Sequence, residues 1–331
     1  MQNQNLKLSQ NLLDKEKIER IPTRFGYGEG LVLAGKDDPN VVALCADISE
    51  STRSAEFMRA FPDRFIEMGI AEQNMMNVAV GLALDGKVPF LATYAVFSPG
   101  LNWCQVRGAV QNEANVKIAG AHAGISVGPD GMSHQALEDI AITRCLPGLV
   151  IIAPCDSIET KKATLAAAKY KGPVYLRFAR EKTPVMTTEE TPFEIGKAEI
   201  FWSPEGGNSQ VSIIACGPLV HNAILAAAEL EKEGVKAEVI NNHTIKPMDK
   251  NTILESVKRT GAVVTVEEHQ VNGGMGSAVA EILSEEFPAP IEFVGVRDRY
   301  GESGEPDELL EKFGMGVENI KEAVKKALAR K

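Results

Sequence analysis

Residues 88–122 read VPFLATYAVFSPGLNWCQVRGAVQNEANVKIAGAH, and this stretch decides the fold. VPFLATY (88–94) and VKIAGAH (116–122) are short runs of the kind that form buried strands. Between them NWCQVRGAVQNEA carries helical periodicity. A strand, a helix and a second strand in that order predict a right-handed crossover and parallel pairing, with helices covering both faces of the sheet.

Working outward, the same alternation continues in both directions. VVALCAD (41–47), LVIIAP (149–154) and PVYLRFA (173–179) read as further strands. GYGEGLVLAGK, EQNMMNVAVGLALDG, QALEDIAITRC and SIETKKATLAAAKY read as helices. The rhythm breaks at 181–208, where TPVMTTEETPF and SPEGGNSQ are rich in Thr, Pro, Gly and Ser, with one edge-type strand, KAEIFW, between them. A second alternation then follows: SQVSIIACG, a long helix, KAEVINNHT, a helix, AVVTVEE, a helix after GGMGS, PIEFVGV and a closing helix, NIKEAVKKALARK. The expected architecture is α/β, with two three-layer α/β/α domains built on parallel or mixed sheets. Its boundaries are a helical lead-in at 1–20, a first domain at 21–186, a linker at 187–208 and a second domain at 209–331. No internal repeat or low-complexity tract interrupts it.

A chain of 331 residues exceeds one ordinary core, which agrees with two domains. The formal net charge of −10 carries no footprint for nucleic acid or an anionic membrane surface. A few local arginines could still hold an anionic substrate. The five cysteines are odd in number and form no C-x-x-C pair, which argues against a disulfide framework, a zinc ribbon or an iron–sulfur cluster. They read as small buried hydrophobes. The N-terminus lacks an apolar signal core, and no apolar run is long enough to span a bilayer, so a cytoplasmic protein is expected.

In open parallel sheets, ligands collect beyond the carboxyl ends of the strands. Asp47 and Ser51 follow the first strand, and Glu72 ends the segment FIEMGIAE. Tyr94 and Phe97 end the next strand, and His122 the one after. Asp130 and His134 lie in the loop SVGPDGMSHQ, and Arg180 closes the last strand. Glu72 opens a helix, where a carboxylate is also stabilised by the helix dipole alone. The two histidines could simply satisfy loop carbonyls. Together the residues form a plausible catalytic rim.

DRFIEMGIAEQNMMNVAVGLAL (63–84) resembles the pyrimidine-domain motif of the transketolase family. AHAGISVGPDGMSHQALEDIAITRCLPGLVIIAPCDSIET (121–160) has that family's His, Gly-x-Asp-Gly and His-Gln landmarks in order. NNHTIKPMD, VEEHQVNGGMGSAVAE and VGVRDRYGESGEPDELLEKFG extend the resemblance through the second domain, so that it runs from about Ile21 to the end. The resemblance implies thiamine diphosphate as cofactor, with the carboxyl of Glu72 hydrogen-bonded to the pyrimidine ring nitrogen and controlling its tautomer. It implies that Tyr94 and Phe97 pack on that ring. His122 and His134 would shuttle protons and stabilise an alkoxide, and Asp130 would hydrogen-bond the donor's C2 hydroxyl. Arg24, Ser51 and Arg180 would hold a sugar phosphate, Arg through its planar fork. Ser49 is an alternative to Ser51, which reads equally as a helix N-cap. The sequence departs from the long-chain members where Gly100 replaces a third pocket aromatic, a place Trp103 could fill.

The family's diphosphate- and Mg²⁺-binding signature, a Gly-Asp-Gly followed by an Asn-containing run, is not found in the chain. The expectation is a two-chain enzyme. A separate N-terminal subunit would supply the diphosphate half and most of the Mg²⁺ ligands, in an α2β2 assembly that moves a two-carbon ketol unit between sugar phosphates. Alternatives are a 1-deoxy-xylulose-5-phosphate synthase, a 2-oxoacid dehydrogenase E1 β subunit and a non-catalytic assembly subunit of the same fold. Gly273, Gly274 and Gly276 read as a tight strand-to-helix turn, and His243 and His269 as structural. The second domain is expected to serve dimerisation and scaffolding.

Overall fold

In the computed structural model, which describes residues 1–331, the chain builds two sheets. The first has seven strands, in the order Thr244–Lys246, Val150–Ile152, Val174–Arg177, Lys117–Ala121, Val88–Tyr94, Val41–Cys45 and Phe65–Glu67. Every neighbour pair is parallel except the first. Leu91 stands opposite both Leu44 and Ile118, so one register carries the apolar rows across the sheet. The central strands are buried along their whole length, because helices cover both faces.

Helix Thr23–Asp37 crosses helix Ser157–Lys169 on one face, and Glu72–Leu84 lies with Trp103–Gln111 on the other. The first crossing is close because Gly26 and Gly30 carry no side chain there. A Cβ on Gly26 would collide with the Ser157 carbonyl, and one on Gly30 would lie 2.8 Å from the Thr164 Cβ.

The second sheet has the order Ile291–Val296, Val263–Gln270, Val211–Ala215, Ala237–Asn241 and Glu199–Trp202. Only the last pairing is antiparallel. The KAEIFW segment thus forms an edge strand. The closing helix, Val317–Ala329, buries Ile320, Ala323, Val324 and Ala327 and leaves its lysine-rich face outward, apart from Lys321.

Four expectations change. Residues 1–19 form no α-helix. They make one 3-10 turn, Gln4–Leu6, and then run as an irregular strap. Leu6, Leu8, Leu12 and Ile18 enter the second core, a spacing that puts no stripe on a helix. The helix expected at 135–145 is confined to Asp139–Arg144, because Ala136 bridges to Ala123 instead. Thr244–Lys246, sequentially inside the second domain, pairs with Val150–Ile152 and completes the first sheet. Of the cysteines, Cys45, Cys155 and Cys216 are buried, but Cys104 and Cys145 are exposed. No helix is long and apolar enough to cross a membrane.

Candidate functional site

Strand Lys117–Ala121 ends in His122, whose φ of +55° turns the chain sharply out of the sheet. The imidazole is 2% exposed and stacks on Tyr94, ring centroids 3.9 Å apart. Tyr94 ends the neighbouring strand, opposite Ala121 in register, so adjacent strand ends deliver the two rings together. Phe97 stacks on Tyr94 at 6.0 Å, and His134 meets Tyr94 and Phe97 edge-on at 5.9 and 5.8 Å. The Ser133 hydroxyl lies 2.9 Å from His134 Nδ1 and orients that ring. Four residues spread over forty positions of sequence thus form one aromatic cluster.

Two guanidiniums border it. Arg24 stands in the first turn of its helix, where Nη1 donates to the Ser51 carbonyl at 2.8 Å while Nε, though buried, has no partner. Arg180 donates to the Val127 carbonyl at 2.7 Å and lies 3.3 Å from Asp130. Burial, first of all, and then the charges of Arg24, Arg180 and His134 push the His122 pKa down to about 3. A group in that environment is a neutral imidazole at any physiological pH. Burial together with Arg180 and Arg53 also lowers the pKa of Arg24. Like charges gathered this closely fit an anion that would offset them.

Glu72 is the first residue of helix Glu72–Leu84 and is 6% exposed. Asn102 donates to its backbone carbonyl at 3.1 Å, which ties the helix start to the Val96–Leu101 turn that carries Phe97. His122 Nδ1 is buried without a partner, and the only side-chain hydrogen bond at Glu72 is the one its backbone carbonyl accepts. A buried ring nitrogen left open, with a largely buried carboxylate at the neighbouring helix start, fits a polar heterocycle with both donor and acceptor edges.

Some sequence-expected residues sit differently. Ser51 is the third residue of the short helix Ser49–Thr52 and does not cap it; its carbonyl, not its hydroxyl, meets Arg24. Asp47 is exposed, and its backbone N–H donates to Glu67 Oε1 at 2.8 Å. Gly100 lies in the Val96–Leu101 turn, and Trp103 does not take its place: the indole N–H is fixed on the Ile142 carbonyl at 2.7 Å. Asp130 is paired with Arg180 rather than free. Arg53 was missed. It carries φ +68°, packs over the Phe25 ring at 4.1 Å, pairs with Glu56 and contributes to the positive field on Arg24. Its place two positions after Ser51 was the one available signal. His243 and His269 are buried away from this cluster, with Phe193 stacked on His243 at 4.4 Å and His269 accepting from the Ile140 N–H.

Residues 19–186 match the family described as transketolase, pyrimidine binding domain, and residues 202–320 match transketolase, C-terminal domain. A Methanocaldococcus jannaschii protein named for a transketolase C-terminal section is 44% identical over 90% of this chain and 93% of its own length. A 6-deoxy-6-sulfo-D-fructose transketolase subunit from a Clostridium species is 40% identical over 95% of this chain and 97% of its own. Among solved structures, a split gene transketolase described as an inactive beta4 tetramer superposes with a TM-score of 0.86 at 44% identity. It covers 94% of this chain and 99% of that one.

Proposed function

Because this chain belongs to the transketolase family, with both its pyrimidine-binding and its C-terminal domain, we propose that it is one subunit of a two-chain, thiamine-diphosphate-dependent transketolase. A second, N-terminal subunit supplies the diphosphate- and Mg²⁺-binding half, in an α2β2 assembly. The relatives that match nearly end to end support this, since one is named for a C-terminal section and another for a split gene. Apolar side chains left in solvent support it too. Ile70, two residues before Glu72, is 82% exposed, and Leu84, Leu101 and Met132 are 70%, 59% and 64% exposed.

One observation carries the reading: Arg24, Arg180, His122 and His134 converge on Tyr94 and Phe97 at one strand edge. Thiamine diphosphate, when bound, supplies the nucleophilic carbon that takes up the two-carbon unit. Glu72 would hold the pyrimidine ring nitrogen by a hydrogen bond and set its protonation, and Tyr94 and Phe97 would exclude water from the ring. Arg24 and Arg180 bind the phosphate end of the ketose. A phosphate at Arg180 competes with Asp130 for the guanidinium, which releases that carboxylate to accept from the donor's hydroxyl. Neutral His122 accepts a hydrogen bond from the substrate hydroxyl and orients it, and His134 steadies the developing oxyanion.

Mixing the purified chain with its partner subunit, Mg²⁺ and thiamine diphosphate is expected to give ketol transfer from xylulose 5-phosphate. Decarboxylation of pyruvate by the same mixture, with no ketol transfer, overturns the proposal. The 40% identity to a sulfosugar transketolase subunit favours a second donor class. A sulfonate is also a tetrahedral anion that two guanidiniums can grip. Relative kcat/KM for phosphorylated and sulfonated ketoses decides between them.

A further inference from the structure

The loop that carries Asp130 and His134 is not held by its own domain alone. Gly124, Gly128 and Gly131 take φ of +93°, +76° and +74°, conformations with no intrinsic stiffness, so the loop depends on outside contacts for its shape. Within the first domain it is tied by the Gly124 N–H to the Ala136 carbonyl and by Arg180 to Val127. Arg180 also pairs with Asp130, and the Gly131 and His134 N–H groups close turns on the Gly128 and Gly131 carbonyls. Further ties come from the second domain. Glu268, 3% exposed, accepts the Ser126 N–H on Oε1 at 2.6 Å, and its side chain fills the space a Cβ on Gly124 would need. The Glu268 backbone is itself fixed, because its carbonyl accepts from Arg177 Nη2 at 2.8 Å and Arg177 pairs with buried Asp139 at 2.8 Å.

The segment Arg299–Pro306 lies along the other side of the loop. Gln135, the residue after His134, donates from one amide to both the Ile125 carbonyl at 3.0 Å and the Glu302 carbonyl at 2.9 Å. Gly301 leaves room for that amide, since a Cβ there would collide with Gln135 Oε1. A Cβ on Gly128 would reach 3.0 Å from Pro306, and one on Gly131 2.5 Å from Ser303 Oγ, so this strap touches the loop on both sides of Asp130.

We propose that Glu268 is a positioning residue and that, with the Gly301–Pro306 strap, it sets where Asp130 and His134 stand. The C-terminal domain then takes part in donor recognition through the loop it clamps, beyond scaffolding. The kinetic half of this inference rests on the function proposed above; the structural half does not.

The test uses the full chain for amide hydrogen exchange and the reconstituted two-chain enzyme for kinetics. Glu268→Ala removes a buried carboxyl acceptor, and Gly301→Ala displaces the Gln135 amide by adding one methyl in a surface strap. Exchange at residues 124–135 should speed up by roughly three- to tenfold in each variant, the scale of one lost hydrogen bond. The rest of both sheets should stay protected. The donor KM should rise more than kcat falls, with the half-saturating thiamine diphosphate concentration unchanged. Glu268→Gln, whose amide oxygen still accepts from Ser126, should stay within about twofold of wild type. Unchanged loop exchange in Gly301→Ala overturns the inference, and so does faster exchange with unaltered donor KM. If wild-type enzyme transfers no ketol group, the functional reading fails while the exchange measurement still decides whether the clamp exists. Should Glu268→Ala unfold, Gly301→Ala carries the decision.

Discussion

Glu72→Gln keeps the volume of a 6% exposed side chain at a helix start and removes only the carboxylate, so it separates chemistry from packing. In the reconstituted enzyme kcat should drop by about 10²-fold or more, the range of a lost proton-transfer group, while the chain keeps its unfolding midpoint. Arg24 and Arg180 make a different prediction, because they are assigned to the far end of the substrate. Arg24→Ala or Arg180→Ala should raise the KM for a phosphorylated ketose by roughly ten- to a hundredfold, equivalent to about 1.5–3 kcal/mol for a charge-assisted bond. A donor without the phosphate should be nearly indifferent to either change. Equal losses for both donors would mean that these arginines hold the fold and not the anion. Sequence order placed Glu72 and Arg180 beyond strand ends, while Arg24 came from the family resemblance. It could not show that Arg180 already holds Asp130, because that pair joins two loops fifty residues apart.

Two helical glycines give opposite predictions. Gly26 sits where helix Thr23–Asp37 crosses Ser157–Lys169, and a Cβ would meet backbone, which cannot move aside. Gly26→Ala should cost about 1–3 kcal/mol by overpacking. Urea unfolding reads the loss, and Arg24, two residues earlier, should show it again as a raised donor KM. Gly81, in helix Glu72–Leu84, has nothing within 4 Å of its missing Cβ and an ordinary helical φ. Gly81→Ala should stabilise the isolated chain by up to about 1 kcal/mol through helix propensity. If this exposed helix is where the partner subunit docks, the same methyl should weaken the heteromer, which analytical ultracentrifugation of the mixture would detect. A variant that is more stable and associates normally would move the partner to another face. The helices themselves were legible from periodicity. Where they failed to appear, at residues 1–19 and 135–138, the apolar residues satisfied distant partners instead of a helical stripe.

The two sheets meet along a seam of buried ionisable groups, and that seam should respond to acid. His243 is 1% exposed at the point where the chain passes from the second sheet to the strand that closes the first, and its carbonyl accepts from Ala153. Burial pushes its pKa from the ordinary 6.5 down to about 4. The folded chain resists protonation that the unfolded chain accepts, so the stability attached to this group is full above pH 6.5 and is lost as pH falls toward 4. Replacement by an uncharged residue, His243→Leu, removes that loss. The stability difference between variant and wild type should shift in the variant's favour by about 3 kcal/mol between pH 7.5 and pH 4. A pH-independent difference would show that His243 is hydrated in solution.

The sequence by itself determined the α/β alternation, the parallel crossovers and the strand-end positions of Glu72, Tyr94, His122 and Arg180. These follow from local periodicity and from the rule that parallel strands share one functional edge. Only the tertiary structure decided that His122 lies against Tyr94, that Thr244–Lys246 belongs to the first sheet, and that Glu268 reaches across to Ser126. Each of these joins residues 28 to 142 positions apart. Such contacts depend on how finished elements pack and on which buried polar group finds which partner. No short stretch of chain carries that signal.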